Sequence, residues 1–173
     1  NVGALYATGQ GAPRDDAQAL SWYRKAADQG LAVAQLNQGL FYADGRGALP
    51  RDDAQAVAWY RKAATQNLPL AQLMLGLAYA TGRGVARDDR QAVNWFEQAA
   101  KNGLPLAQYA LGMLHSDGRG IPRDWIKAHV WLNLAASGGY VGAAQPLEYA
   151  ASQLNEADME RARTLAREWR TAH

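Results

Sequence analysis

The sequence contains no cysteine and few β-branched residues. Its 173 residues include 7 Val, 2 Ile and 5 Thr, against 36 Ala and 20 Leu. Because β-sheets need β-branched and aromatic side chains on their faces, this composition excludes a β protein and disfavours most α/β folds. Alanine is the best helix former, so we expect an all-α chain. The lack of cysteine excludes disulfides and thiolate metal sites.

The chain also lacks a strong charge imbalance and long apolar runs. Lys and Arg number 18 and Asp and Glu number 16, which gives a net charge of +2. The basic residues form no stripe of the kind that nucleic acids need, so a nucleic-acid partner is not expected. No apolar run has the length of a transmembrane segment. The first residue, Asn1, is not methionine, and we therefore expect a longer gene product from which a preceding segment was removed.

A repeat of about 36 residues organises what is present. Its landmarks are Trp22, Trp59, Trp95 and Trp131, the alanine pairs at 26–27, 63–64, 99–100 and 135–136, and the glycine pairs of the loops at 9–11, 45–47, 82–84 and 118–120. Repeats of this length are typical of solenoids, in which each repeat contacts mainly its neighbours.

Each repeat is predicted to contain two helices. In the second repeat the first helix is expected from Val33 to Ala43, where the following Gly-Arg-Gly loop stops it. The second helix is expected to begin after Asp52 or Asp53, since aspartate is a good N-cap. It should end near Thr65.

The residue pattern also predicts how these helices pack. The Trp and Tyr of each second helix are expected to form the bulk of the core, and the alanine pairs should let helices approach closely. Gly39, Gly76 and Gly112 lie within the first helices. Glycine costs about 1 kcal/mol against alanine in a helix interior, so its recurrence indicates a close backbone contact.

This pattern resembles the Sel1-like repeat (SLR) family, a branch of the tetratricopeptide-like α-solenoids. The matching residues of one repeat are Ala71, Leu75, Gly76, Tyr79, Gly82, Gly84, Val85, Asp88, Ala92, Trp95, Phe96, Ala99 and Ala100. The resemblance implies a right-handed α-α solenoid of tetratricopeptide-like helix pairs. It covers residues 1–141 in four repeats, the first incomplete at its N-terminus. Residues 142–173 are predicted to form a degenerate fifth helix pair with a C-terminal capping helix, all in one continuous domain.

The fourth repeat departs from the pattern. Trp125 stands where earlier repeats have Asp16, Asp53 and Asp89, and His129 replaces a valine. We therefore expect this repeat to face a different neighbour, the C-terminal cap.

The first helices are apolar on two sides, which identifies a candidate binding face. In tetratricopeptide-like folds the first helices line the concave surface, so the resemblance implies a concave face that binds a partner peptide or helix. The candidate residues are Leu36, Leu40, Leu73, Leu77, Tyr109, Met113 and His115. The alternative is that this face packs against the adjacent repeat, and for Leu36 and Leu73 the two interpretations are equally favoured.

The Gly-Arg-Gly loops admit a second candidate site. They can be interpreted as phosphate cradles or RNA-binding boxes, but helix capping explains their repetition better. Arg46, Arg83 and Arg119 should form a spaced row on one edge that meets an acidic partner. The paired aspartates lack the alternate oxygen ligands of a Ca²⁺ loop, so capping and pairing with the arginines that precede them are favoured.

Catalytic chemistry is not indicated. His115 near Asp117 is interpreted as a substituted core or groove residue rather than an acid–base pair, and no nucleophile has a positioned base. We therefore predict a protein-binding scaffold without enzymatic activity, cofactor or metal. The resemblance places the family in bacteria, where some members of similar size act as immunity proteins beside toxic type VI secretion effectors, including phospholipases. Alternatives are a structural adaptor or regulator in an envelope or signalling complex, and a β-lactamase-like hydrolase. The compartment, periplasm or cytoplasm, stays open, with the periplasm favoured if the N-terminus is processed.

Overall fold

The computed structural model describes residues 2–11 and 13–172, and its regular elements there are all helical. Two compact parts are distinguished, residues 1–87 and residues 88–173. The first contains α1 (Val2–Thr8), α2 (Asp16–Asp28), α3 (Ala32–Asp44), α4 (Asp53–Ala64) and α5 (Pro69–Thr81). The second contains α6 (Asp89–Lys101), α7 (Pro105–Asp117), α8 (Trp125–Ser137), a 3-10 turn (Val141–Ala143), α9 (Ala144–Ser152) and α10 (Glu156–Ala172). The predicted single continuous domain stays a prediction.

The helix ends follow the capping residues that the sequence supplies. The side chain of Asp52 caps α4 by accepting a hydrogen bond from the Gln55 amide at 2.9 Å, and aspartates 15, 88 and 124 cap α2, α6 and α8 in the same way. At the end of α3, Gly45 adopts a left-handed conformation with φ of 67°. The predicted bounds of α3 and α4 are therefore confirmed to within one residue.

The mid-helix glycines allow one helix of a pair to press against the other. A Cβ added to Gly39 in α3 would lie 2.6 Å from the ring of Tyr60 in α4. In the fourth repeat, a Cβ at Gly112 would lie 2.8 Å from Leu132. The close backbone contact expected at these glycines is confirmed at both positions.

The expectation that Trp and Tyr form the bulk of the core is confirmed for Tyr and wrong for Trp, since Trp22 is exposed and Trp59, Trp95 and Trp131 are only half-buried. Tyr60 and Phe96 are 4% and 2% exposed, whereas Trp22 is 42% exposed. Tyr and Phe follow the Trp directly, so a helical step of 100° turns them inward and leaves the indole at the edge. There the Lys62 ammonium lies 3.9 Å from the ring centre of Trp59, a cation–π contact. The alanine pairs at 63–64 and 99–100 are fully buried, whereas one member of each outer pair, Ala26 or Ala136, is half-buried.

Each Gly-Arg-Gly loop docks on the start of the second helix of the preceding repeat. A Cβ at Gly47 would lie 2.8 Å from the carbonyl oxygen of Asp16, the first residue of α2. Gly84 meets Asp53 and Gly120 meets Asp89 even more closely. The second glycine of the loop therefore has two reasons to be glycine, its positive φ and this backbone contact. We call residues 45–47, 82–84 and 118–120 the docking loops.

Buried glutamines connect consecutive helices near the opposite end of each pair. The side-chain amide of Gln35 donates to the carbonyl of Ala27 at 3.4 Å. Gln72 and Gln108 repeat this bond to Ala64 and Ala100. The acceptors lie in the last turn of a helix, where carbonyls have no intrahelical donor. Each of these carbonyls also accepts a backbone N–H bond, from Gly30, Asn67 or Gly103, so the glutamine supplies a second donor to it.

The C-terminal helix α10 packs against α8 of the fourth repeat. Ala162 and Ala166 of α10 pack with Val130 and Leu134 of α8, and the rings of Trp131 and Trp169 meet edge to face at 6.0 Å. The arginines of α10 at positions 161, 163, 167 and 170 are exposed. This polar outer side fits the expected capping role.

Replacing Gly120 by alanine is predicted to destabilise the chain more than replacing Gly103. The two glycines share a φ of about +75°, but Gly103 has open space where a Cβ would sit, whereas Gly120 meets the Asp89 backbone. A left-handed alanine costs about 1–2 kcal/mol, and overpacking against backbone adds about 1–3 kcal/mol. Urea denaturation of the two variants measures the difference. Equal losses of stability would contradict the close approach of Gly120 to the Asp89 backbone.

Candidate functional site

The candidate first-helix residues divide into a buried and a half-buried group. Leu36, Leu73 and His115 are only 5%, 2% and 6% exposed, so they present almost no surface to a partner. Leu40, Leu77, Tyr109 and Met113 are half-buried. The last two also contact the cluster around Leu132. The half-buried group is the part of the proposed binding face that solvent reaches.

Leu77 lies in the wall of a cleft between α3, α4 and α5, which we call the Leu77 cleft. Its volume is about 250 Å³ and its walls are mostly apolar. Its lining residues are Ala43, Asp53, Ala56, Val57, Tyr60, Met74, Leu77, Ala78, Thr81 and Arg83. The Tyr60 hydroxyl is buried and has no hydrogen-bond partner among the described residues. Burial, together with the nearby Asp44 carboxylate, raises the pKa of Tyr60 to about 12.

Met113 lies in a second cleft, between α7, α8 and α9, which we call the Met113 cleft. Its volume is about 400 Å³. Its lining residues are Met113, Ser116, Asp117, Arg123, Trp125, Gln145, Pro146 and Tyr149. Met113 follows Leu77 by 36 residues and Tyr149 follows Met113 by 36, so the two clefts occupy corresponding positions of the repeat. The second cleft is more polar and more aromatic than the first.

The three docking-loop arginines all form ion pairs within the chain. Arg46, Arg83 and Arg119 contact the carboxylates of Asp16, Asp53 and Asp89 at 2.6, 2.9 and 2.8 Å. Each aspartate is the first residue of the preceding second helix, 30 residues earlier. Hydrogen bonds from Arg46 and then Arg14 hold the pKa of Asp16 well below its usual range.

These ion pairs give the arginine row an intramolecular role. Their carboxylates already occupy the guanidinium edges that an acidic partner would use. A contribution of the row to partner binding stays a prediction. The favoured interpretation of the loops, as repeated structural elements rather than phosphate cradles, agrees with this geometry.

The family model of the Sel1 repeat matches residues 1–31, 32–68, 69–104 and 105–140. The chain belongs to the Sel1 repeat family. Sel1 repeat proteins generally act as scaffolds for protein–protein interaction. No curated protein matches the chain.

Solved structures of Sel1 repeat proteins are similar to this chain. The protective antigen c5321 of uropathogenic Escherichia coli, which displays an SLR fold, is 33% identical over 97% of this chain, with a TM-score of 0.88. The Sel1 repeat protein from Oxalobacter formigenes is 33% identical over 98%, with a TM-score of 0.82. This chain spans 36% of the first protein's chain and 70% of the second's.

A more distant likeness concerns the fold alone. Cysteine-rich protein B of Helicobacter pylori is 20% identical over 76% of this chain and 94% of its own, with a TM-score of 0.59. With the SLR structures, it confirms the predicted fold class, an all-α solenoid of tetratricopeptide-like helix pairs.

Sequence reasoning placed Ser116 on the same face as Met113 but missed Arg123, Trp125 and Tyr149 of the Met113 cleft. One signal was present, the replacement of the repeat's aspartate by Trp125. The fourth repeat is expected to face a different neighbour, and the rings of Trp125 and of Tyr149 in α9 meet edge to face at 5.6 Å. Tyr149 keeps the 36-residue spacing from Met113, but it lies in a segment where the other landmarks of the repeat fade, so the pattern alone does not identify it as a site residue.

No metal centre or membrane helix is found in the described part of the chain. Residues 2–11 and 13–172 contain no group of three or more His, Asp or Glu side chains that could hold a metal ion. None of their helices combines the length and apolarity needed to cross a membrane. Within the same ranges, His115 and Asp117 form no hydrogen bond or ion pair with each other.

Two buried histidines lie in the Sel1 repeat that precedes the C-terminal helices. His115 in α7 and His129 in α8 are each 6% exposed, and neither Nδ1 has a hydrogen-bond partner among the described residues. Burial lowers the pKa of both imidazoles. The positive charge of Lys127 lowers the pKa of His115 further, and the negative charge of Asp124 partly offsets this effect. The positive charge of Arg163 lowers the pKa of His129 further.

The free energy of unfolding is predicted to fall as the pH drops below about 6.5. The unfolded imidazoles take up protons there, whereas the folded ones resist protonation, so the unfolded state gains stability. A variant with His115→Tyr and His129→Val, the residues that other repeats carry, should lose most of this dependence. The measurement compares the free energy of unfolding from urea denaturation at about pH 7.5 and about pH 5. Both values lie above the range, near pH 3.8 and below, in which Asp16 and Asp53 would add their own pH dependence to stability. If the double variant loses as much stability between the two pH values as the unmodified chain, titratable groups other than the two histidines cause the effect.

Proposed function

We propose that the chain binds a protein partner through the half-buried side chains of its first helices. The observation that supports this is the pair of clefts at corresponding positions of the repeat. Each has a first-helix apolar residue, Leu77 or Met113, in its wall. Partly exposed apolar side chains beside concave sites are typical of surfaces that bury a partner's side chains.

The rigid setting of these residues supports the proposal further. Leu77 and Met113 each lie near the C-terminal end of a first helix, close to a docking loop fixed by backbone contact and ion pair. Since a preorganised surface loses little conformational entropy on binding, small clefts of this kind can contribute to specific affinity. The second helices instead present charged and polar residues such as Arg61 and Lys62, which are exposed.

A narrower form of the proposal makes the partner a toxic effector whose active site or access path the chain occludes. It rests on the resemblance to bacterial Sel1 repeat proteins of similar size with an immunity role. Its deciding measurement is the activity of an effector encoded beside this gene, with and without the purified chain. Inhibition that the Leu77→Glu, Met113→Glu variant loses would support it. An unaffected effector would leave the adaptor role as the form of partner binding to pursue.

Photo-crosslinking tests the broader proposal. p-Benzoylphenylalanine placed at Leu77 or Met113 is expected to crosslink one partner in the source organism. The matched controls carry the probe at Ala58 in α4 or Asn94 in α6, which are exposed on second helices. Mass spectrometry identifies the crosslinked protein.

Binding of the purified partner then measures the contribution of the two residues. The Leu77→Glu, Met113→Glu double variant should bind at least about tenfold more weakly, because a carboxylate placed in an apolar contact must be desolvated. The Ala58→Glu, Asn94→Glu variant adds the same charge and should bind normally. Unchanged affinity in the first variant, or an equal loss in the second, would reject the first-helix surface.

A further inference from the structure

The aspartate that begins a second helix joins two arginines in the regular repeats. Asp16 contacts Arg14 two residues before it at 3.2 Å and Arg46 of the following docking loop at 2.6 Å. Asp53 contacts Arg51 and Arg83 in the same way, at 3.1 and 2.9 Å. Each carboxylate thus neutralises an arginine in its own repeat and one in the next.

The fourth repeat keeps the first arginine and loses the carboxylate. Arg123 has the position of Arg14 and Arg51, but the residue two places later is Trp125. The Arg123 guanidinium lies 5.5 Å from the centre of the indole ring. Arg123 is exposed, and it forms no ion pair with any residue in the ranges 2–11 and 13–172. Stacking on an aromatic face leaves the N–H edges of a guanidinium available to a carboxylate.

The same substitution opens an aromatic cleft beside this cation. In the described residues that follow the fourth repeat, up to 172, no docking loop covers the start of α8. Instead α9 presents Tyr149, which is 60% exposed, with its ring 5.6 Å from that of Trp125. Met113 completes an apolar wall. The cleft volume of about 400 Å³ falls at the small end of the range for ligand sites, which suits one or two side chains better than a cofactor.

A buried hydroxyl in this cleft also lacks a partner. Ser116 replaces the alanines of earlier repeats, Ala43 and Ala80, and lines the Met113 cleft. It is 6% exposed, and its Oγ has no hydrogen bond to any described residue. Because buried polar groups are nearly always hydrogen-bonded, this hydroxyl marks a place where an incoming group can donate or accept.

We propose that the Met113 cleft binds a segment of a partner protein in which an acidic side chain lies next to an aromatic or aliphatic one. Arg123 pairs with the carboxylate, and Trp125, Tyr149 and Met113 enclose the apolar side chain. This inference rests on the proposed function, since it specifies the chemistry of the partner at one of the two clefts.

Asp117 allows a test of whether the bound segment is acidic or basic. Its carboxylate is exposed at the rim of the cleft, where it repels an acidic segment. Asp117→Asn should therefore strengthen binding of an acidic segment, whereas Arg123→Gln should weaken it. A basic segment would respond in the opposite direction to both substitutions.

Blocked dipeptides provide the probes. Acetyl-Phe-Glu-amide is titrated into the ¹⁵N-labelled chain and compared with its neutral isostere acetyl-Phe-Gln-amide and with acetyl-Ala-Glu-amide. The indole N–H resonance of Trp125, assigned with Trp125→Phe, reports occupancy. The Phe-Glu peptide should bind about threefold more tightly than Phe-Gln, the effect of a partly exposed ion pair. The Ala-Glu peptide should bind more weakly still, since it lacks the apolar group.

Variants complete the test. Arg123→Gln should remove the preference for Glu over Gln and leave the fold intact, since the side chain is exposed. Arg90→Gln removes an exposed positive charge from α6, outside the cleft, and should keep the preference. Equal binding of the Glu and Gln peptides, a preference for acetyl-Phe-Lys-amide, or no shift of the Trp125 resonance would overturn the inference. Crosslinking at Leu77 and Met113 is independent of these titrations, so a failure here with a success there rejects the acidic partner segment and keeps the protein-binding proposal.

Discussion

The contact between a docking loop and the preceding second helix is the interaction on which the repeat depends. At Gly120 the loop backbone reaches the backbone of Asp89, and Arg119 closes the contact with the Asp89 carboxylate. The backbone contact requires that the loop residue have no side chain, and the ion pair requires an arginine and an aspartate at a fixed distance. Together they fix where each docking loop meets the preceding second helix, so the clefts beside these contacts have defined walls.

The clefts follow from that contact and from its interruption. Where the aspartate and the next arginine are present, as at Asp53 and Arg83, the ion pair lies in the cleft wall and the rest of the lining is mostly apolar. Where the fourth repeat has Trp125 instead, an arginine loses its carboxylate and two aromatic rings take the place of the loop. A single departure from the repeat therefore changes the chemistry of a surface while the helix packing continues.

Much of the fold could be predicted because its determinants are local and repeated. N-cap aspartates and left-handed glycines fixed the bounds of α3 and α4 to within one residue, and Asn67 takes a φ of 60° where other repeats have glycine. The position of the tryptophans could not be predicted in this way. Trp59 and Tyr60 are adjacent and both amphipathic, and only the approach of Gly39 decides which of them the partner helix covers.

Sequence by itself determined the helices, their caps, the register of the repeat and membership of the Sel1 repeat family. Each of these depends on residues close in the chain or on agreement among repeats. The tertiary structure decided which apolar residues stay accessible, burying Leu73 and leaving Leu77 in a cleft wall. It also decided that the docking-loop arginines pair with aspartates 30 residues earlier, whereas Arg123 does not. Burial and pairing are properties of neighbours brought together by packing, and a pattern that repeats identically along the chain cannot distinguish positions whose neighbours differ.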